Sequence, residues 1–171
     1  MTEQSIIKLI GKPTEIDLKN LKAIGSTGFY LKSYKKKKNK NESLKLDSKC
    51  NFEKRTNGIL LRANYSNKLS AIPIPNENII EITLKRGKEN INPFLLSPMW
   101  ILLKLGVSKL YARYFRLRLN EYSIDEMKLN IETSEFEMKF IANGYLFEKQ
   151  LSFFESLNYG NKLKTEIKAS T

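Results

Sequence analysis

GILLRANYSNKLSAIPIPNENIIEITL, Gly58 to Leu84, is the stretch whose reading decides the fold. Its apolar residues recur at every second position, the period of a pleated strand that turns one face to a core. Ile59, Leu61, Ala63 and Tyr65 fall on one face, and Arg62 and Asn64 fall on the other together with Leu60. The turn SNK leads into LSAIPI, where Pro73 and Pro75 remove main-chain donors and place the run at an edge or a strand end. The third run, NIIEITLKRG, sets Ile80, Ile82 and Leu84 against Glu81, Thr83 and Lys85, and Gly87 ends it.

Working outward, GFYLKSY and SLKLDSKCNF are β-compatible runs separated by KKKKNKNES, a lysine-rich hairpin loop from Lys35 to Ser43. Beyond Gly87 the pattern changes. Ser97-Pro98 is an N-cap followed by proline at the first helical position, and Gly106 suits a helix end. A short helix is predicted from Pro98 to Leu105, with Val107 to Ala112 as a second helical turn. Alternation returns in RYFRLRLNEY, with Phe115, Leu117 and Leu119 opposed to Tyr114, Arg116 and Arg118. It continues in MKLNIETS (Met127, Leu129, Ile131 inward) and EFEMKFIANG (Phe136, Met138, Phe140 inward), a hairpin turning near Thr133 to Glu135. Leu146, Phe147, Leu151, Phe154 and Leu157 then form a helical stripe that needs a sheet to cover.

These elements predict an α+β fold: an antiparallel barrel or sandwich of about seven strands, a helical insertion at about 93–112 and an amphipathic C-terminal helix at about 145–158. Residues 1–20 read as an N-terminal extension, 21–160 as one domain and 161–171 as a tail. The length of 171 residues suits a single domain of that kind.

Gly58 to Leu84, with its strand, turn and Ile-Pro run before ENIIEITL, resembles the pleckstrin-homology-like superfold, and within it the bacterial PH and GRAM-type domains. Met127 to Tyr159 resembles that family's closing hairpin and final helix, so the likeness spans roughly Phe29 to Tyr159. The resemblance implies a scaffold that binds lipids, peptides or partner proteins without catalysis. It also implies that basic residues between the first two strands contact phosphorylated head groups.

The net charge of +12 predicts attraction to an anionic partner. Residues 1–57 carry +8, residues 58–119 carry +7 and residues 120–171 carry −3, so the surface is polarised. Lysine outnumbers arginine 24 to 6, as AT-rich coding would give, which makes arginine the more telling cation. The lone Cys50 excludes an intrachain disulfide, and the chain has no histidine, the commonest metal ligand and general base. No metal site and no cofactor are expected. No nucleophile elbow, P-loop or dinucleotide fingerprint is present, and Cys50 reads as a small core residue. The longest uncharged apolar run, Pro93 to Leu103, is too short for the roughly 20 residues of a spanning helix. A cytoplasmic, non-enzymatic interaction domain is the expectation, with peripheral association to a membrane.

Three clusters are candidate sites. Lys35, Lys36, Lys37, Lys38 and Lys40 read either as a solvated loop or as head-group contacts. Arg113, Tyr114, Arg116 and Arg118 read either as an exposed sheet face paired with Glu132 or Glu137, or as an anion site, since guanidinium forks bind phosphate bidentately. Phe94, Met99, Trp100, Leu102 and Leu103 read either as a plug for the end of the sheet or as apolar surface for a membrane interface or a homodimer. The expected partner is an anionic lipid surface or an acidic protein. The alternative is nucleic acid on the basic and aromatic sheet face.

Overall fold

The computed structural model describes residues 2–14, 25–37, 44–65 and 68–167. The three strands read from Gly58 to Leu84 are present as β3 (Gly58–Tyr65), β4 (Lys68–Pro75) and β5 (Ile79–Lys85). With β1 (Gly25–Lys36), β2 (Lys49–Arg55), β8 (Met127–Thr133), β9 (Phe136–Ala142) and β10 (Leu163–Glu166) they form one sheet. Its order is β10-β5-β8-β9-β1-β2-β3-β4. Each neighbouring pair is antiparallel except β10 and β5, which run parallel. The α+β class stands. The seven antiparallel strands are instead eight in a mixed sheet that stays open, with β4 and β10 as its edges. The edge position of β4 explains Pro73 and Pro75, because outward-facing donors on an edge have no ladder partner to lose.

One face of the sheet carries the main core, and α4 (Phe147–Glu155) lies against it. Phe29, Phe52, Phe140 and Phe154 meet edge to face, with ring centroids 5.2–6.3 Å apart. Such pairs add about 0.5–1.5 kcal/mol each beyond their buried area. The alternation in β8 and β9 is as read: Met127, Leu129, Ile131, Phe136, Met138 and Phe140 are all buried. Thr133 Oγ1 closes their turn by accepting from the main-chain N–H of Glu135 and Phe136.

Four expectations change. In β5 a register shift between Ile79 and Glu81 brings Ile79 into the core and leaves Ile80 exposed. The segment read as an N-terminal extension contains α1 (Glu3–Ile10), whose buried Ile6 and Ile10 cover Leu60, the apolar residue on the outer face of β3. Arg55, with a side chain only 1% exposed, fastens this helix by pairing with Glu3 at 2.8 Å and Glu53 at 2.7 Å. The segment read as a tail contributes β10, which lengthens the sheet beside β5.

The fourth change concerns RYFRLRLNEY. Arg113–Phe115 and Leu119–Glu121 are 3-10 turns, not parts of one strand. The carboxylate of Glu121 accepts from the main-chain N–H of Leu117 and Arg118, both at 2.8 Å, and bends the chain there. This bend belongs to a larger insertion than the predicted 93–112. The chain leaves the sheet after Lys85 and returns at Met127, although Lys85 and Lys128 face each other in the β5–β8 pair. Between them lie β6 (Glu89–Ile91), α2 (Pro98–Lys104), α3 (Lys109–Ala112) and β7 (Tyr122–Ile124), with β6 and β7 paired as a separate ribbon. Met99, Ala112 and Tyr122 form a small core of its own. Ser97 caps α2 through its side chain, as the sequence implied.

The neck of the insertion is tightly built. A Cβ at Gly87 would lie 1.9 Å from the carbonyl oxygen of Asp125, and one at Gly144 2.0 Å from the same atom. Only glycine lets these backbones approach so closely.

Candidate functional site

The insertion concentrates cations and exposed apolar groups on one part of the molecule. Between Glu89 and Glu121 the sequence holds no acidic residue, but it holds Lys104, Lys109, Arg113, Arg116 and Arg118. The two flanking glutamates turn inward. Glu89 accepts hydrogen bonds from Lys109 and from the Tyr122 hydroxyl. Burial pushes its carboxyl up, and these two bonds with the nearby Arg86 more than offset that, leaving it below the ordinary range. Glu121 is buried and is spent on the main chain of Leu117 and Arg118.

Arginine pairing separates the insertion from the rest of the fold. Arg55 and Arg62 pair with glutamates within the sheet, and Arg86, at the base of the insertion, faces Glu148 at 3.8 Å. Among the described residues, Arg113, Arg116 and Arg118 form no ion pair, although the charge of Arg118 helps hold the buried Glu121 carboxyl below its ordinary range. Arg113 instead donates to the hydroxyls of Tyr122 at 3.3 Å and Tyr114 at 3.4 Å and lies over both rings. Arg118 lies over Phe94, 4.8 Å from its centroid. Neither Glu132 nor Glu137 is available to them: Glu132 pairs with Lys37 and Glu137 with Lys139.

Around these cations the apolar surface is large. Leu95, Leu96, Leu105, Leu110, Leu117 and Leu119 are all exposed, Leu105 at 74% and Leu119 at 79%. Tyr111, Tyr114 and Phe115 are exposed beside them. Nine large apolar or aromatic side chains are thus exposed within one segment of the chain. The predicted apolar set divides. Phe94 is at the surface, Met99 is fully buried in the insertion's core, and Leu102 and Leu103 pack half-buried against it. Trp100 is half-buried with Lys104 Nζ over its ring. Neither alternative held alone: the inner side fills a core and the outer side is left uncovered.

The structure does not bring the lysine run and the arginines together. Lys35 and Lys36 lie opposite Glu137 and Phe136, at the turn between β8 and β9, and Lys37 pairs with Glu132 at 2.9 Å. The insertion joins the other end of β8, at Met127. Seven residues of β8 separate the two, about 20 Å at the rise of an extended strand. Lys38 and Lys40 lie outside the described residues. The Tyr114, Arg116 and Arg118 sheet face invoked for nucleic acid is not formed, since Tyr114 lies in a 3-10 turn and Arg116 and Arg118 in the unpaired link between two such turns.

A recess of about 340 Å³ lies where the insertion meets the start of α4, lined by Arg113, Tyr114, Arg116 and Tyr145. Tyr145 was not foreseen as a site residue. Its main-chain N–H is capped by Asn143 Oδ1, and its hydroxyl donates to the carbonyl of Tyr122 at 3.1 Å. The acid-free run of sequence was a legible signal for the surface; no local pattern marked Tyr145.

Among the described residues, no group of three or more acidic or cysteine side chains is placed to hold a metal, and no helix is long and apolar enough to cross a membrane. Comparison with protein-family models, curated proteins and solved structures gives no match.

Proposed function

We propose that this chain is a non-catalytic docking domain that seats on an anionic membrane surface through its insertion. The observation that carries the reading is the contrast in arginine pairing: among the described residues Arg113, Arg116 and Arg118 form no ion pair amid exposed leucines and tyrosines, while Arg55, Arg62 and Arg86 do. Cations near an anionic bilayer contribute about 1 kcal/mol each within a Debye length. Apolar side chains entering the interface add about 25 cal/mol per Å² of surface withdrawn from water. Tyrosine and tryptophan favour that boundary.

Charge argues against the homodimer, because two copies of a surface carrying Lys104, Arg113, Arg116 and Arg118 would repel, even with Lys109 paired to Glu89. Exposed leucines argue against nucleic acid, whose phosphates and bases offer them little to cover. The strand order supports the pleckstrin-homology-like reading. With the insertion and β10 set aside, β5-β8-β9-β1-β2-β3-β4 is an antiparallel row of seven strands followed by a helix on the core. Docking would then use the insertion and not the loop between the first two strands.

The test is co-flotation with vesicles of anionic and of zwitterionic lipid at two salt concentrations. Binding to the anionic vesicles is expected, weakened by salt and abolished by Leu95→Asp with Leu119→Asp. Both leucines are exposed, so circular dichroism should be unchanged. Absence of binding to any vesicle, with capture by nucleic acid or an acidic protein in its place, would overturn the reading.

A further inference from the structure

We infer that the recess between Arg113, Tyr114, Arg116 and Tyr145 is a phosphate-binding site, selective for a terminal phosphate monoester over a phosphodiester or a carboxylate. The inference rests on the docking reading above and names the chemical group that the docking face would select.

Among the described residues, the recess holds two guanidinium groups and no carboxylate. A guanidinium offers five donors. Arg113 directs two of them, through long bonds, to neutral tyrosine hydroxyls, and Arg116 has no hydrogen bond or ion pair among the described residues. Two like charges brought to one recess in this way are satisfied by an anion that accepts from both. A carboxylate can take two guanidinium groups, as Glu53 does with Arg55 and Arg62, but its single charge leaves such a pair of cations with one charge uncompensated. A phosphodiester presents only two terminal oxygens. A phosphate monoester presents three, with a charge between −1.5 and −2 near neutral pH, and suits two forks at once. Tyr114 adds to the set: its hydroxyl accepts from Arg113 and so keeps its own proton to donate. Tyr145, whose hydroxyl is committed to Tyr122, supplies a ring wall. Such walls thin the water around the ion pairs and strengthen them. The volume of about 340 Å³ falls at the low end of the roughly 300–1,000 Å³ typical of ligand sites, fitting a head group and not a whole lipid.

The experiment compares phosphatidic acid, a monoester, with phosphatidylserine, in vesicles matched for zeta potential. Glycerol phosphate in solution is titrated alongside, followed by NMR. The proteins are the wild type and Arg116→Lys, which keeps the charge but loses the planar fork. The expected result is about tenfold tighter binding to phosphatidic acid, lost in the variant while binding to phosphatidylserine persists. Equal binding to both lipids, or a preference that survives in Arg116→Lys, overturns the phosphate site and leaves the docking reading standing. Wild-type binding of glycerol phosphate that Arg116→Lys loses, without attachment to any vesicle, supports the site as one for a soluble phosphate and overturns the docking reading. Binding of neither overturns both.

Discussion

The phenol of Tyr145, in the 3-10 turn that leads into the C-terminal helix, donates to the main-chain carbonyl of Tyr122 at 3.1 Å, and the two rings lie 6.3 Å apart. This single hydrogen bond joins the last helix to the β6–β7 ribbon of the insertion. Tyr145→Phe keeps the ring and removes the bond, so about 1 kcal/mol of stability should be lost. Amide exchange should quicken at Tyr122 to Ile124 and stay unchanged in β8 and β9, which hydrogen-exchange mass spectrometry can resolve.

Gly144→Ala should do more. Its Cβ would meet the Asp125 carbonyl, a backbone atom with little room to yield, so the neck itself must shift. A loss of about 1–3 kcal/mol is expected by chemical denaturation. Vesicle binding should weaken because the docking face is tilted; unaltered stability would show that the neck is slack.

Changing Lys35, Lys36 and Lys37 together to alanine should leave vesicle binding nearly unaltered. They lie about 20 Å from the insertion along β8, beyond the Debye length of roughly 10 Å at 0.1 M salt. A tenfold loss in flotation would move the docking face to the opposite end of the sheet.

Acid should loosen the insertion before the sheet. The Glu89 carboxyl is held below its ordinary range chiefly by Lys109 and Tyr122, against the opposing effect of burial. A depressed folded-state pKa contributes stability above the unfolded value, about 4.3, and loses it as pH falls through the folded one. The lone tryptophan, Trp100, sits in the insertion and reports on it. Its emission should shift below about pH 4.3 in the wild type. That acid step should be smaller in Glu89→Gln, the remainder coming from Glu121, whose carboxyl is also held down by Ser97 and the main chain of Arg118 and Leu117 against burial.

Cys50 should resist thiol reagents until the protein unfolds. It is fully buried in the main core, and burial pushes its thiol up, only partly countered by contacts with Ser48 and Leu31. The sign on stability is the reverse of that for Glu89. The contribution is complete below the unfolded thiol value of about 8.5 and declines as pH rises past it. Rapid labelling at neutral pH under native conditions would contradict this placement.

The strands were legible where one face is buried and the other wet, as in β8 and β9, because alternation then reports burial directly. The same logic failed at Leu60, whose outer face is covered by α1, and at Ile80, displaced by a register shift that no side-chain pattern announces. Arg113 to Leu119 alternates as cleanly as any strand in the chain. There the period reflects apolar groups facing outward, and Glu121 bends the backbone from a distance in sequence that alternation does not weigh. The arginines were found because arginine is scarce; their companion Tyr145 was not, because only the tertiary fold brings it to them.

Lys85 and Lys128 stand opposite each other as neighbours in a hairpin would, and the whole insertion departs and returns between them. A tight turn at that point would complete the same ladder. The scaffold and the surface it displays are therefore separable: side chains on the outer face of the insertion can be exchanged without touching the phenylalanine core, and the ladder beneath keeps its register.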